Sequence, residues 1–384
     1  MFKTIARGGS FKLGKDPIQN FLYLAGGVLL VYVIFVAIGN ILAGNYGLRD
    51  FLQGVVLGLA QGSIYALIAL GYTLVYGVLR MINFAHSEVF MSGAYIGFFA
   101  INAFNQEGPG GSPSFLSQNT ILALVLTLFV GMAASATIAI LLERIAYRPL
   151  RRAPRLVSLI TAIGVSITLQ QLFLRLFGSD TRSYPVVSLC AEGIQVPSQP
   201  DRVCGTAMNL LQGRYTLPVG SEEIVVRPLY LIIFIIALVL MTTMWFIVQR
   251  TKIGKAMRAV AEDKNTASLM GINVDFIIVI TFLLGAILAG AAAVLFAIYN
   301  PQVTPFMGFF PGVKAFTAAV LGGIGNIPGA MAGGLLLGVI ESAAPGMLGI
   351  PSQLEDVVAF SVLVLILIFR PTGIFGEALT KSRA

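Results

Sequence analysis

The chain has 384 residues, of which 57% are hydrophobic and only 11% charged, and its mean hydropathy is +0.88. Water-soluble domains carry about 25% charged residues, so this composition excludes one and specifies an integral membrane protein. The net charge of +8 is no nucleic-acid footprint, because the basic residues lie in short polar stretches between apolar runs, and one His with two Cys leaves too little for a transition-metal site or a His-based catalytic triad.

Lys3, Arg7, Lys12 and Lys15 precede the first apolar run, 21–43. That run is too long for a signal peptide and lacks a small-residue cleavage site, so a retained helix is expected. Gly9 to Asp16 (GSFKLGKD) is one residue from a phosphate-binding loop. Asp16 stands where Ser or Thr must hold magnesium and no strand precedes it, so nucleotide hydrolysis belongs to a separate chain.

Further apolar segments fall near 51–79, 82–101, 120–142, 157–177, 229–248, 275–298, 313–345 and 354–369. The chain therefore reads as all-α, a single polytopic helical bundle over 1–384. Basic loops face the cytoplasm in such proteins. Three groups qualify: the N-terminus, the cluster Arg144, Arg148, Arg151, Arg152 and Arg155, and the segment with Arg250, Lys252, Lys255, Arg258 and Lys264. Counting from these places 102–119, 178–228 and 299–312 outside. For the tail with Arg370, Lys381 and Arg383 to be cytoplasmic, 313–345 must cross twice, turning at Gly325 to Gly329, where Asn, Pro and Gly supply turn chemistry. The first limb is about a dozen residues, roughly 18 Å of helix against a hydrocarbon core of ~30 Å, so it is short or broken. About ten passes with both termini cytoplasmic are expected.

Glycines recur every fourth position at Gly54, Gly58 and Gly62, at Gly93 and Gly97, and at Gly325, Gly329 and Gly333, a spacing that lets helices pack closely in lipid. Gly322, Gly323 and Asn326 lie where helix ends would present free backbone groups to a zwitterionic solute near mid-membrane, making them candidates for a translocation path. Asn83, His86, Ser87 and Glu88 are further candidates, since charge among apolar residues must face protein, water or the interface. His86 is open to a structural, gating or proton-carrying role. A proton- or sodium-driven secondary transporter using His86 and Glu88 is thus an alternative, whereas a hydrolase fails because His86 and Ser87 are adjacent and point apart on a helix.

The insert 178–228 contains both cysteines. Cys190 and Cys204 enclose about fifteen residues, and a disulfide there would constrain the unfolded chain by ~3 kcal/mol. An oxidising, extracytoplasmic side suits that pairing, and two free thiols remain the alternative.

Residues 250–274 form the polar segment on which the reading turns. Ile253, Ala256, Met257 and Val260, then Ala267 and Met270, recur at three- and four-residue steps, which predicts a short helix whose apolar face is available to a partner. Gly271 offers its stop. The segment resembles the cytoplasmic loop through which permeases of ATP-binding-cassette importers grip their ATPases, matching its general pattern at Ala267 and Gly271. The wider string RAVAEDKNTASLMGIN (Arg258 to Asn273) resembles the inner-membrane permeases of branched-chain amino-acid importers. Gly62 to Tyr95 is similar to their signature, matching at Asn83, Phe84, Ala85, His86 and Glu88 and departing at Ser87, and Asn300 to Gly338 supplies a further match. The likeness covers about 51–376, except for an insert longer than the family commonly shows.

The resemblance implies a bacterial inner-membrane permease with no catalytic residues, no metal and no cofactor of its own. It implies two ATPase chains that bind ATP and magnesium, a second and different permease chain, and an extracytoplasmic binding protein delivering a branched-chain or other neutral amino acid. Related permeases carry urea or short amides. Gly254, Lys255, Arg258, Glu262, Asp263, Ala267 and Gly271 become the candidate ATPase-coupling residues.

Overall fold

The computed structural model describes residues 17–107, 113–150, 154–185, 187, 189–195, 204, 207–219, 222–370 and 372–376. The basic N-terminal residues, the near-miss phosphate loop, Arg151, Arg152 and the last basic residues of the tail lie outside them.

Apolar helices dominate. They run α1 (Pro17–Leu42), α2 (Leu48–Leu79), α3 (His86–Phe104), the single turn α4 (Phe115–Gln118), α5 (Thr120–Leu142), which continues into a π-helical turn over Glu143–Tyr147, and α6 (Arg155–Phe177). After the insert come α7 (Pro228–Arg250), α8 (Lys252–Glu262), α9 (Lys264–Leu269), α10 (Val274–Tyr299), α11 (Phe309–Gly322), α12 (Ile327–Leu348) and α13 (Glu355–Phe369). Eight helices among the described residues are long and apolar enough to cross a membrane, and α11 is a shorter apolar one. The turn expected inside 313–345 falls between Gly322 and Ile327. Local chemistry sets many boundaries: Pro228 opens α7 where a missing N–H costs nothing, and the Asn273 and Asn326 side chains accept from Phe276 N and Gly329 N to start α10 and α12.

The centre is built from α2, α3, α10, α11 and α12, and α2 packs most extensively on α12. Backbone proximity explains this pairing. A Cβ on Gly58 would lie 2.5 Å from Val339 Cα, and one on Gly338 would lie 2.3 Å from Gly62 Cα. Gly93 and Gly290 do the same between α3 and α10, with Gly131 of α5 against both. With lipid tails as apolar as leucine, such close van der Waals contact drives helix association. The outer helices α1, α5, α6, α7 and α13 expose Leu, Ile, Val and Phe, which suits a hydrocarbon surrounding.

Contacts sort the connections to two ends of the bundle. At one end Arg148 pairs with Asp275 at 2.8 Å, Arg80 reaches the Ala261 carbonyl, and residues 374–375 donate backbone bonds to Leu321 and Gly322. At the other, Gln53 bonds Val225, Asn40 bonds Met347, and Arg182 pairs with Val303. The insert carries two small antiparallel sheets, β1 (Cys190–Gln195) with β2 (Ala207–Asn209), and β3 (Tyr215–Val219) with β4 (Glu222–Val226). Cys190 and Cys204 are disulfide-bonded, with Cα atoms 5.5 Å apart.

Candidate functional site

Two regions stand out, an exposed helical elbow at one end and a set of polar groups inside the bundle. The elbow is α8–α9. Thr251 caps α8 by accepting from Gly254 N, and Asp263 caps α9 by accepting from Asn265 N, Thr266 N and the Thr266 hydroxyl. Those bonds, the Thr266 hydroxyl first, hold the Asp263 carboxyl below its ordinary value of 3.8. The α9 stop is a Schellman motif: Gly271, at φ +82°, donates to Ser268 O, and Ile272 N donates to Ala267 O.

The apolar face of α8 is not free, which corrects the expectation. Met257 and Val260 of α8 and Ala267 of α9 are buried against the chain's own helices, because α8 touches α2, α7 and α10 and α9 touches α8 and α10. Gly254 is buried so tightly that a Cβ would meet Val248 O at 2.1 Å. Arg258 donates from Nη1 to Val248 O at 2.6 Å and to Gln249 Oε1 at 3.1 Å, covering the carbonyl end of α7. Lys255 and Glu262 face outward. The apolar surface left exposed is instead Leu269 and Met270, 88% and 78% exposed, and Ile253 at the start of α8. Leu269 escaped the periodicity argument because it follows the break between α8 and α9, where the helical register restarts.

Within the bundle, Glu88 is fully buried on α3. Its Oε1 accepts from Gln170 Nε2 at 2.8 Å, Ser166 Oγ at 3.1 Å and Ser87 Oγ at 3.3 Å. Asn83 lies in the stretch 81–85 before α3, and its Oδ1 accepts from the Tyr147 hydroxyl at 2.5 Å, a contact aimed by the π-helical turn. The His86 ring meets Tyr72 edge-on at 4.9 Å and presses on the α2 backbone, where a Cβ on Gly71 would meet Nε2. Tyr72 also lines a recess of about 200 Å³ with Tyr76, Ile82, Phe316, Ala319 and Ile324. Asn83, His86, Ser87 and Glu88 thus share one polar seam.

Gly322, Gly323 and Asn326 lie elsewhere. Their turn is level with Gly77 in the last turn of α2, at the end of the bundle and not half-way along it. Gly322 and Gly329 are in backbone contact, Gly323 takes φ +100°, and Asn326 Nδ2 donates to Phe375 O at 2.9 Å. The glycines serve a tight hairpin sealed by the C-terminal segment.

The sequence reading missed a second polar group altogether. Lys314 of α11 pairs with Glu341 of α12 and with Asp356 of α13, the latter at 2.5 Å. Gln61 and Tyr65 of α2 donate to Glu341 Oε1, each at 3.2 Å. A lysine three residues after Pro311 in the second turn of α11 carries no motif, and only its cost inside an apolar run marks it.

Membrane-length helices wrapped around buried charge, with a capped helical elbow standing off one end, define a membrane transport subunit. Residues 54–367 match the family described as branched-chain amino acid transport system / permease component. The chain belongs to that family and is a permease subunit of an ATP-binding-cassette importer, a transport subunit and not an enzyme. It is 42% identical over 328 residues, 85% of this chain and 96% of the relative, to the high-affinity branched-chain amino acid transport system permease protein BraD of Pseudomonas aeruginosa. It is 40% and 39% identical over 330 residues, again 85% of this chain and 96% of each relative, to the LivH permease proteins of Salmonella typhimurium and Escherichia coli. No solved structure matches the chain.

Proposed function

We propose that this chain forms half of the passage by which a branched-chain or other neutral amino acid, handed over by an extracytoplasmic binding protein, crosses the bacterial inner membrane. A second, different permease chain supplies the other half, and two ATPases bind ATP and magnesium beneath them. The end bearing α8–α9 and the basic connections faces the cytoplasm with both termini, 178–228 faces outward, and the chain crosses about ten times, counting α3 and the short α11. The transport systems in which the related permeases are named support the substrate class.

One observation carries the coupling role. Leu269 and Met270 stand bare at the end of an elbow whose Met257, Val260 and Ala267 are folded away. An exposed apolar pair suits a groove on a soluble partner, and the bonds that root α8 on α7 and α2 would carry its motion into the bundle. The test is substrate-stimulated ATP hydrolysis in the assembled importer after changing Leu269 and Met270 to Asp. Stimulation falls and the ATPases dissociate more readily. Unchanged stimulation with intact assembly places the coupling surface elsewhere.

A further inference from the structure

The corner where α11, α12 and α13 meet α2 contains more negative charge than its one ammonium balances. Glu341, Glu355 and Asp356 each bring a carboxyl oxygen to within 4.8 Å of the others. Lys314 is 5% exposed and Glu341 not at all. Glu341 Oε1 is crowded with donors from Lys314, Tyr65 and Gln61, while its Oε2, equally buried, has no hydrogen-bond partner. The groups facing it are Gln61 and Tyr65 from α2, Lys314 from α11, and Glu355 and Asp356 from α13, with Tyr299 of α10 the next titratable group outward and Tyr230 and the Arg227 cation at the start of α7 beyond it. Described α1, which also packs on α12 and α13, contributes no charged residue.

Ionised carboxylates only accept, so two of them cannot satisfy one another unless a proton lies between them. Glu341 Oε2 is an orphaned buried oxygen, and the Glu341 carboxyl lies within 4.8 Å of two further carboxyl groups, so a proton on it relieves both the missing partner and the crowded charge. We propose that Glu341 binds a proton, drawn there by the negative charge of the neighbouring Glu355 and Asp356 carboxyl groups of α13, and that this corner is a proton-holding site of the permease. With the proton in place, Lys314 balances more of the remaining charge and the first turn of α13 stays docked on α12. Without it, like charges crowd the buried Glu341 and α13 loosens at its Glu355 end. Asp356, 39% exposed at its side chain, gives the proton a route in from the end of the bundle that carries the insert.

The site is read spectroscopically, without substrate or nucleotide, so its failure is separate from failure of the importer reading. The complete importer in lipid nanodiscs is titrated with pH and followed by infrared difference spectroscopy in H2O and D2O. The expected result is a protonated-carboxyl band that shifts in D2O, disappears in Glu341→Gln and persists in Asp356→Asn. Absence of the band in the native protein, or its survival in Glu341→Gln, overturns the proposal. Loss of the band when sodium chloride replaces choline chloride at fixed pH also overturns it, because a metal cation then takes the place. If Glu341→Gln does not assemble, Glu355→Gln decides: removing a neighbouring negative charge weakens proton binding, so the band titrates at about tenfold higher proton concentration. An unmoved titration rejects the proton on Glu341.

Discussion

Glu88 shows what one residue discloses alone and what it withholds. A carboxylate inside an apolar run announces that it has partners, but Ser166 and Gln170 lie 78 and 82 residues away. No local pattern links them, because the pairing is made by the packing of α3 on α6. Replacing Glu88 with Ala strips the Gln170 amide and Ser166 hydroxyl of a buried acceptor and is expected to lower stability by about 1–3 kcal/mol, read as thermal unfolding in detergent. Glu88→Gln, which keeps an acceptor oxygen, costs less. Gly338→Ala drives a methyl into the α2 backbone, and overpacking of this kind costs about 1–3 kcal/mol in the same assay. Asp263 behaves differently because it is fully exposed. Its carboxyl is held below the ordinary 3.8, so the α9 cap is intact at neutral pH and weakens only as pH falls through its lowered folded value. Coupling measured between pH 6 and 8 is therefore insensitive to this group.

Among the elements, α8–α9 separates what periodicity determines from what it leaves open. Three- and four-residue spacing identified an amphipathic helix, and it is one. The direction of its apolar face depended on what lay beside it, namely α2, α7 and α10. Gly271 was legible because only a left-handed residue completes the Schellman stop. Gly271→Val has room for its side chain but must adopt φ +82°, at a cost of about 1–2 kcal/mol that unravels the end of α9. Its importer is expected to assemble with reduced substrate-stimulated ATP hydrolysis, whereas Leu269→Asp loses stimulation with no change in the permease's own unfolding temperature. The opposite happened at Gly322 to Asn326. The turn was legible from Asn, Pro and Gly, but its depth was not, since sequence gives the length of α11 without saying how far along α2 it ends.

For the whole molecule, hydropathy made the helical bundle legible and small-residue spacing made its closest contacts legible. The buried corner at Lys314 was illegible because Glu341 and Asp356 lie 27 and 42 residues along the chain from Lys314, and Glu341 also meets Gln61 and Tyr65 of α2, pairings that only the packing of the helices makes. Sidedness rests on charge, and it is checked by single cysteines placed at Lys255 and Arg214 in a background lacking Cys190 and Cys204. In sealed spheroplasts an impermeant maleimide is expected to label position 214 and to reach 255 only after lysis. Labelling at 255 in intact spheroplasts inverts the assignment. In the native chain neither cysteine labels until reductant is added, as the bond between them requires.

The last described residues bear on the order of synthesis. Backbone bonds from Ile374 and Phe375 reach Leu321 O and Gly322 O at the carbonyl end of α11. The carbonyl end of α11 is synthesised some fifty residues before those donors exist, so the lower rim of the α11–α12 hairpin stays open until translation is nearly done. A stop codon at 371 should therefore yield a protein that inserts yet is clipped by membrane proteases, while a tag joined beyond 376 leaves the seam closed.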